Sequence, residues 1–193
     1  MRVLHYILGF PPMRSGGLTK YAIDLMHAQK LLGHDVFAIY PGNPSLFSWK
    51  ISIYNDGLCC GIPSYKIRNA LLLPLLHGIK DARSFMAESN AGLDFFADFF
   101  KNNHFNVLHV HTLMGLPVSF LLAAKENGVR IVYTSHDYYG LCPKANFINH
   151  SGNLCEEASP EKCAKCNASA KPLWYLWLRN SKLLLFVKRI LKR

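Results

Sequence analysis

The segment from Val107 to Pro143, VLHVHTLMGLPVSFLLAAKENGVRIVYTSHDYYGLCP, constrains the fold more than any other part of the chain. It reads as strand, turn, helix, strand, turn. Each strand is a short apolar run ending in histidine: His109 and His111 on the first, His136 followed by Asp137 on the second. Between them Leu113, Leu116, Phe120 and Ala124 recur at about the 3.6-residue period of a buried helix face. A strand–helix–strand unit of this length forms a parallel pair through a right-handed crossover. Ligands of open α/β sheets bind beyond the carboxyl ends of the strands. The polar residues therefore fall where chemistry is expected.

The N-terminus has the same grammar. Arg2 to Leu8 is a β-type run, followed by the loop Gly9 to Gly17 and a helix expected from Leu18 to Leu32. Tyr21, Leu25, Ala28 and Leu32 mark its expected buried stripe, Gly33 its C-cap, and Val36 to Tyr40 the next strand. Two such units predict an α/β fold with a Rossmann-like, doubly wound parallel sheet. In the middle, Lys50 to Tyr54 alternates like a strand, while Cys59, Cys60 and Gly61 follow no period. Ala70 to Lys80 is expected to be helical despite Pro74, as is Gly92 to Asn102. Lys144 to Ala170 is polar and aperiodic, and a helix is expected from Pro172 onward. The layout is one domain over residues 1–170, with a Cys-rich loop at 142–170 and a basic amphipathic helix at 171–193.

Charge helps to exclude one class. The net charge is +10, but residues 171–193 hold seven basic residues and no acidic one, leaving 15 basic against 12 acidic, or +3, elsewhere. A nucleic-acid binder spreads Lys and Arg over a folded face, so no nucleic-acid partner is expected. No secretory signal follows Met1, since Pro11 and Pro12 stand where a small-residue cleavage site belongs. No apolar run reaches the roughly 18 residues of a membrane span. A cytoplasmic location is expected.

Four features carry chemistry, each with a plainer alternative. Gly16 and Gly17 lie between a strand and a helix N-terminus, where bare backbone and free N–H groups suit a phosphate; the plainer role is the turn alone. The spacing matches neither the dinucleotide fingerprint nor a P-loop. His109 and His111 share one strand face, with His111 nearer the carboxyl end and so the better candidate to meet substrate. Imidazole serves there as base or donor, or as a satisfied structural group. No G-x-S-x-G elbow supports a hydrolase. Cys142, Cys155, Cys163 and Cys166 form a C-x12-C-x7-C-x2-C array suited to structural zinc, or to free thiols, or to two bridges in an oxidising compartment. The tail mixes Trp174, Trp177, Leu184, Val187 and Leu191 with basic residues, as a helix lying on an anionic membrane does, or one packed on another part of the protein.

Taken together, RVLHYILGFPPMRSGGLTKYAIDLMHAQKLLGHDVFAIYPG, NVLHVHTLMGLP and IVYTSHDYYGLCP with its trailing cysteines resemble the N-terminal half of a family 4 glycosyltransferase of GT-B architecture. The resemblance covers nearly the whole chain. It implies transfer of a sugar from a nucleotide-sugar to a glycan or lipid-linked acceptor, in cell-surface polysaccharide biosynthesis; the basic, aromatic tail adds a peripheral place on the inner face of the plasma membrane to the cytoplasmic expectation. No catalytic cofactor is expected. On that analogy Gly16 and Gly17 approach the donor phosphates, His111, the catalytic candidate, lines the cleft with His109 close by, and His136 stands on its acceptor side; Asp137 beside it is a further substrate-binding candidate. The family's E-x7-E-type element belongs to a C-terminal donor domain that this sequence does not contain, since no acid follows Glu161. The isolated chain is therefore expected to be inactive without a donor domain or partner chain. The alternative is a non-catalytic carbohydrate-binding or membrane-docking module that reuses the fold.

Overall fold

A computed structural model describes residues 1–45, 48, 50–75, 78, 80, 92–142 and 144–181. Strands β1 (Arg2–Tyr6), β2 (Asp35–Pro41), β3 (Ser52–Cys59), β4 (Ile62–Arg68), β5 (Val107–Val110) and β6 (Arg130–Tyr133) form one sheet in the order β3-β4-β2-β1-β5-β6. Helix α1 (Gly17–Leu31) joins β1 to β2, α2 (Leu93–Asn103) precedes β5, and α3 (Val118–Glu126) joins β5 to β6. Two short helices follow, α4 (Pro160–Cys166) and α5 (Leu173–Asn180).

The sheet is parallel except at one edge, where β3 pairs antiparallel with β4. The fold is the expected α/β, Rossmann-like one, with that strand as the departure from a wholly parallel sheet. Cys59, Cys60 and Gly61, aperiodic in sequence, are the hairpin: Cys60 and Gly61 both sit at positive φ, which turns the chain back on itself.

Alternation along each strand gives the sheet two apolar faces. Leu4, Tyr6, Leu108 and Val110 pack with Phe96 and Phe100 of α2 and Phe120 of α3. Phe120 lies 4.8 Å from Phe100 and 5.1 Å from Phe96, centroid to centroid, in tilted and edge-to-face contacts. Each ring removed from water contributes about 2 kcal/mol. The opposite face carries Ile7, Val36 and Ala38 under Ala22 and Met26 of α1.

Three local expectations need correction. The buried stripe of α1 is Thr19, Ala22 and Met26, one residue round from the stripe read in sequence, with Tyr21 and Leu32 exposed. Leu113 and Leu116 precede α3 rather than lie on it; its buried face is Ser119, Phe120, Ala123 and Ala124. Residues 70–74 are irregular, not helical. The rest of that expected helix in part, and Lys182 to Arg193 with Leu184, Val187 and Leu191, fall outside the described residues.

Candidate active site at the sheet switch point

From β1 the chain winds outward through β2 to β4, then returns to place β5 on the other flank of β1. The β1/β5 seam is thus the point where the winding reverses, and a crevice at the carboxyl ends is expected there. Register puts His5 beside His109. His111, first residue after β5, is fixed by its backbone N–H donating to the Tyr6 carbonyl at 3.0 Å. The Tyr6 hydroxyl donates to the Met114 carbonyl at 3.0 Å and holds the loop beyond.

Four imidazoles meet there under α1. His5 Nδ1 lies 3.0 Å from His111 Nε2, His5 Nε2 lies 2.7 Å from Gln29 Oε1, and His111 Nδ1 lies 3.4 Å from His136 Nε2. His109 stacks on His111 at 4.2 Å and bonds Thr134 Oγ1 through Nε2 at 2.8 Å. Tyr21 sets its ring edge-on to His136 at 4.9 Å and to His111 at 5.9 Å.

The chain of bonds fixes the tautomers. Gln29 Oε1 only accepts, so His5 carries its proton on Nε2 and accepts through Nδ1. His111 must then donate from Nε2 and accept at Nδ1 from His136 Nε2–H. His136 is left with a lone pair on Nδ1, for which the described residues hold no partner. Burial drives His5 down to about 4 against the support of its Gln29 bond, with His109 adding to the drop. Burial, then His109, His5 and His136, hold His111 down to about 2. Both are neutral at pH 7, so His5 and His111 act as directed neutral dipoles within the chain of bonds.

The structure brings together His109, His111 and His136. His5, Gln29 and Thr134 join them without having been singled out in sequence, and so does Tyr21, expected there only in the buried stripe of α1; the one available signal was a third strand histidine, His5, whose relation to His109 needs the strand order. His111 is 1% exposed, whereas His136, three residues beyond β6, is half-buried and outermost. Asp137 shapes the turn: its Oδ1 accepts from the Tyr139 N–H at 2.9 Å. Gly16 caps α1 at φ 127 and Gly17 opens it, with no atom within 4 Å of where either Cβ would be. The carboxyl ends of β1, β5 and β6 share one edge of the sheet, so this turn and the histidines border the same crevice.

Among the described residues one group has its ligand atoms close enough together to hold a metal. Ring nitrogens of His5, His109 and His111 lie within 4.8 Å of one another. A divalent ion there would displace the proton shared by His5 and His111 and bring charge to a buried group containing no carboxylate, so the hydrogen-bonded form fits better. Cys142, Cys155, Cys163 and Cys166 all line one cavity of about 320 Å³ in the loop beyond β6. Burial opposes ionisation of Cys142, but backbone N–H groups of Lys144, Phe147, Asn146 and Ala145 outweigh it and lower its pKa. Cys163 and Cys166 stand one turn apart on α4, a helix with no buried residue.

No curated protein sequence matches this one. The catalytic domain of starch synthase IV from Arabidopsis thaliana, bound to ADP and acarbose, is structurally similar at 16% identity and a TM-score of 0.44. The similarity covers 71% of this chain and 34% of that one, so the chain spans about a third of that structure. The sequence model of the family described as Glycosyltransferase Family 4 matches residues 15–154, well over half of the chain. On that match, a sheet wound about the β1/β5 crevice and its histidine-lined edge are those of a member of glycosyltransferase family 4.

Proposed function

We propose that residues 1–170 form the acceptor-side domain of a glycosyltransferase. It takes part in moving a sugar from a nucleotide-sugar to a glycan or lipid-linked acceptor in cell-surface polysaccharide biosynthesis. The observation that carries this reading is the directed chain from Gln29 through His5 and His111 to His136, beside the glycine turn. His136 Nδ1 accepts the hydrogen bond of an acceptor hydroxyl and orients its oxygen. His111, the catalytic candidate of the sequence, is the group that holds His136 in that tautomer. His109 keeps the His111 ring stacked, and Gly16 and Gly17 leave room for donor phosphates at the start of α1. The second wall of the cleft, with most donor contacts, comes from a donor domain; without it we expect no turnover.

The cysteine loop is proposed as a structural zinc site, formed by Cys142, Cys155, Cys163 and Cys166 around their shared cavity. Helix α5 exposes Trp174 and Leu178, which favours a resting place on the inner face of the plasma membrane. Among the described residues no helix is long and apolar enough to cross a membrane.

The test is to mix the protein with a family 4 donor domain and a nucleotide-sugar and to follow release of the nucleoside diphosphate. His111→Ala and His136→Ala should each lower the rate about 10²-fold or more. Unimpaired turnover in both variants would remove the histidine chain from the mechanism. Sugar binding that never leads to transfer would favour the non-catalytic module.

A further inference from the structure

Helix α1 leaves one large ring in the open at the crevice. Tyr21 is 45% exposed, although Ala22 beside it and Met26 a turn further are fully buried. It stands at the open end of the histidine chain, its ring centroid 4.9 Å from that of His136 and 5.9 Å from that of His111. The interplanar angles are 65° and 66°, so neither imidazole lies flat on the phenol. Among the described residues no other ring stacks on it and its hydroxyl makes no hydrogen bond. Gly17, four residues earlier and so on the same helix face, adds no side chain to crowd it, with no atom within 4 Å of where its Cβ would be.

An exposed tyrosine alone says little, since single apolar side chains are common at a surface. Its neighbour gives this one a direction. The tautomers fixed by Gln29 leave a lone pair on His136 Nδ1 without a partner among the described residues. A ligand entering here meets a hydrogen-bond acceptor and an aromatic ring side by side, a separation that a six-membered sugar ring with its hydroxyls spans. An anion suits neither group: the face of the phenol is electron-rich, the imidazole offers a lone pair, and His5 and His111 behind it are neutral at pH 7. A sugar suits both. One hydroxyl donates to the nitrogen, and the weakly positive C–H groups on one side of a pyranose lie against the ring face.

We propose that Tyr21 is the platform for the terminal sugar of the acceptor, which lays its C–H face on the phenol while one hydroxyl donates to His136 Nδ1. The proposal rests on the acceptor-side reading of the domain. It narrows the acceptor to one whose reacting end is a pyranose rather than a bare lipid phosphate.

The test has a binding arm and a turnover arm. In the first, saturation-transfer NMR is recorded on the whole protein with the methyl pyranosides of glucose, galactose and mannose. At least one pyranoside should receive transfer, strongest at the C–H protons of one ring face. Tyr21→Ala should abolish it, while Tyr21→Phe and Tyr21→Trp keep it. If Tyr21→Ala fails to fold, Tyr21→Leu, which keeps apolar bulk without a ring, carries the comparison and should also lose the signal. In the second arm the protein is mixed with a family 4 donor domain, a nucleotide-sugar and the same pyranosides as acceptors. Tyr21→Ala should raise the acceptor KM about tenfold or more with the donor KM unchanged, whereas Gly17→Ala should move the donor KM. No transfer of saturation to any of the three pyranosides, or transfer that Tyr21→Ala and Tyr21→Leu leave intact, would overturn the proposal. Turnover with an unchanged acceptor KM in Tyr21→Ala would refute it and leave the acceptor-side reading standing. Tyr21-dependent pyranoside binding in a protein that never transfers a sugar would do the reverse.

Discussion

Acidification should unfold this domain through its histidines before its carboxylates are touched. His5 and His111 have folded pKa values held down to about 4 and about 2, whereas both titrate near 6.5 once unfolded. Below pH 6.5 the unfolded chain therefore binds protons that the folded chain refuses, so stability is present above that value and is lost as pH falls toward the folded values. Each depressed histidine costs about 1.4 kcal/mol per pH unit well inside the window. Between pH 7 and pH 5 the pair removes about 4 kcal/mol, a large part of the roughly 5–15 kcal/mol that holds a domain together. Asp56, whose pKa is lowered from 3.8 by its Lys66 and Tyr40 bonds against the opposing effect of burial, loses its contribution only at more acid pH. Between pH 7 and pH 5 only the histidine window is open. Urea unfolding followed by tryptophan fluorescence at half-unit steps from pH 7.5 to about 4.5 would measure the slope. His5→Gln with His111→Gln should be weaker at pH 7 but nearly flat across the same range. A wild-type midpoint that does not move between pH 7 and pH 5 would refute the reasoning, because it would mean that these rings are protonated or solvated in the fold.

Glycine variants separate packing from ligand approach. Gly115 sits at φ 74, and a Cβ there would lie 2.7 Å from the Leu73 side chain and 2.8 Å from Pro41. Gly115→Ala should cost about 3 kcal/mol of stability, read from the urea midpoint. Gly17 faces open space, so Gly17→Ala should change stability by less than about 0.5 kcal/mol yet weaken nucleotide-sugar binding in the complex with a donor domain. Equal binding would leave the glycine turn a purely structural one. Protein purified under reducing conditions should contain about one zinc per chain, lost with Cys163→Ser; near-zero metal with all four thiols freely titratable would dismiss the loop site.

Composition and periodicity by themselves determined the α/β class, both strand–helix–strand units, and the edge of the sheet on which the candidate histidines gather. They did so because β1, β2, β5 and β6 are short apolar runs separated by helix-period segments and turn residues, and because a parallel sheet puts its strand ends on one edge. Local pattern failed where tertiary contact decides. The stripe on α1 was read one residue out, because Tyr21 looks like a core residue until His136 and His111 supply its partners at the crevice. The run at residues 70–74 is apolar enough for a helix, but it packs as irregular chain: Leu73 is buried and its carbonyl is satisfied by Asn180, more than a hundred residues later. Strand order was decisive for the site. No spacing in the sequence places His5 beside His109 and His111, since 104 and 106 positions separate them; only winding outward from β1 and back to β5 closes that distance. Which histidine is buried and which is open was a tertiary matter too, because β5 is covered on both flanks while the chain beyond β6 lies at the sheet's edge.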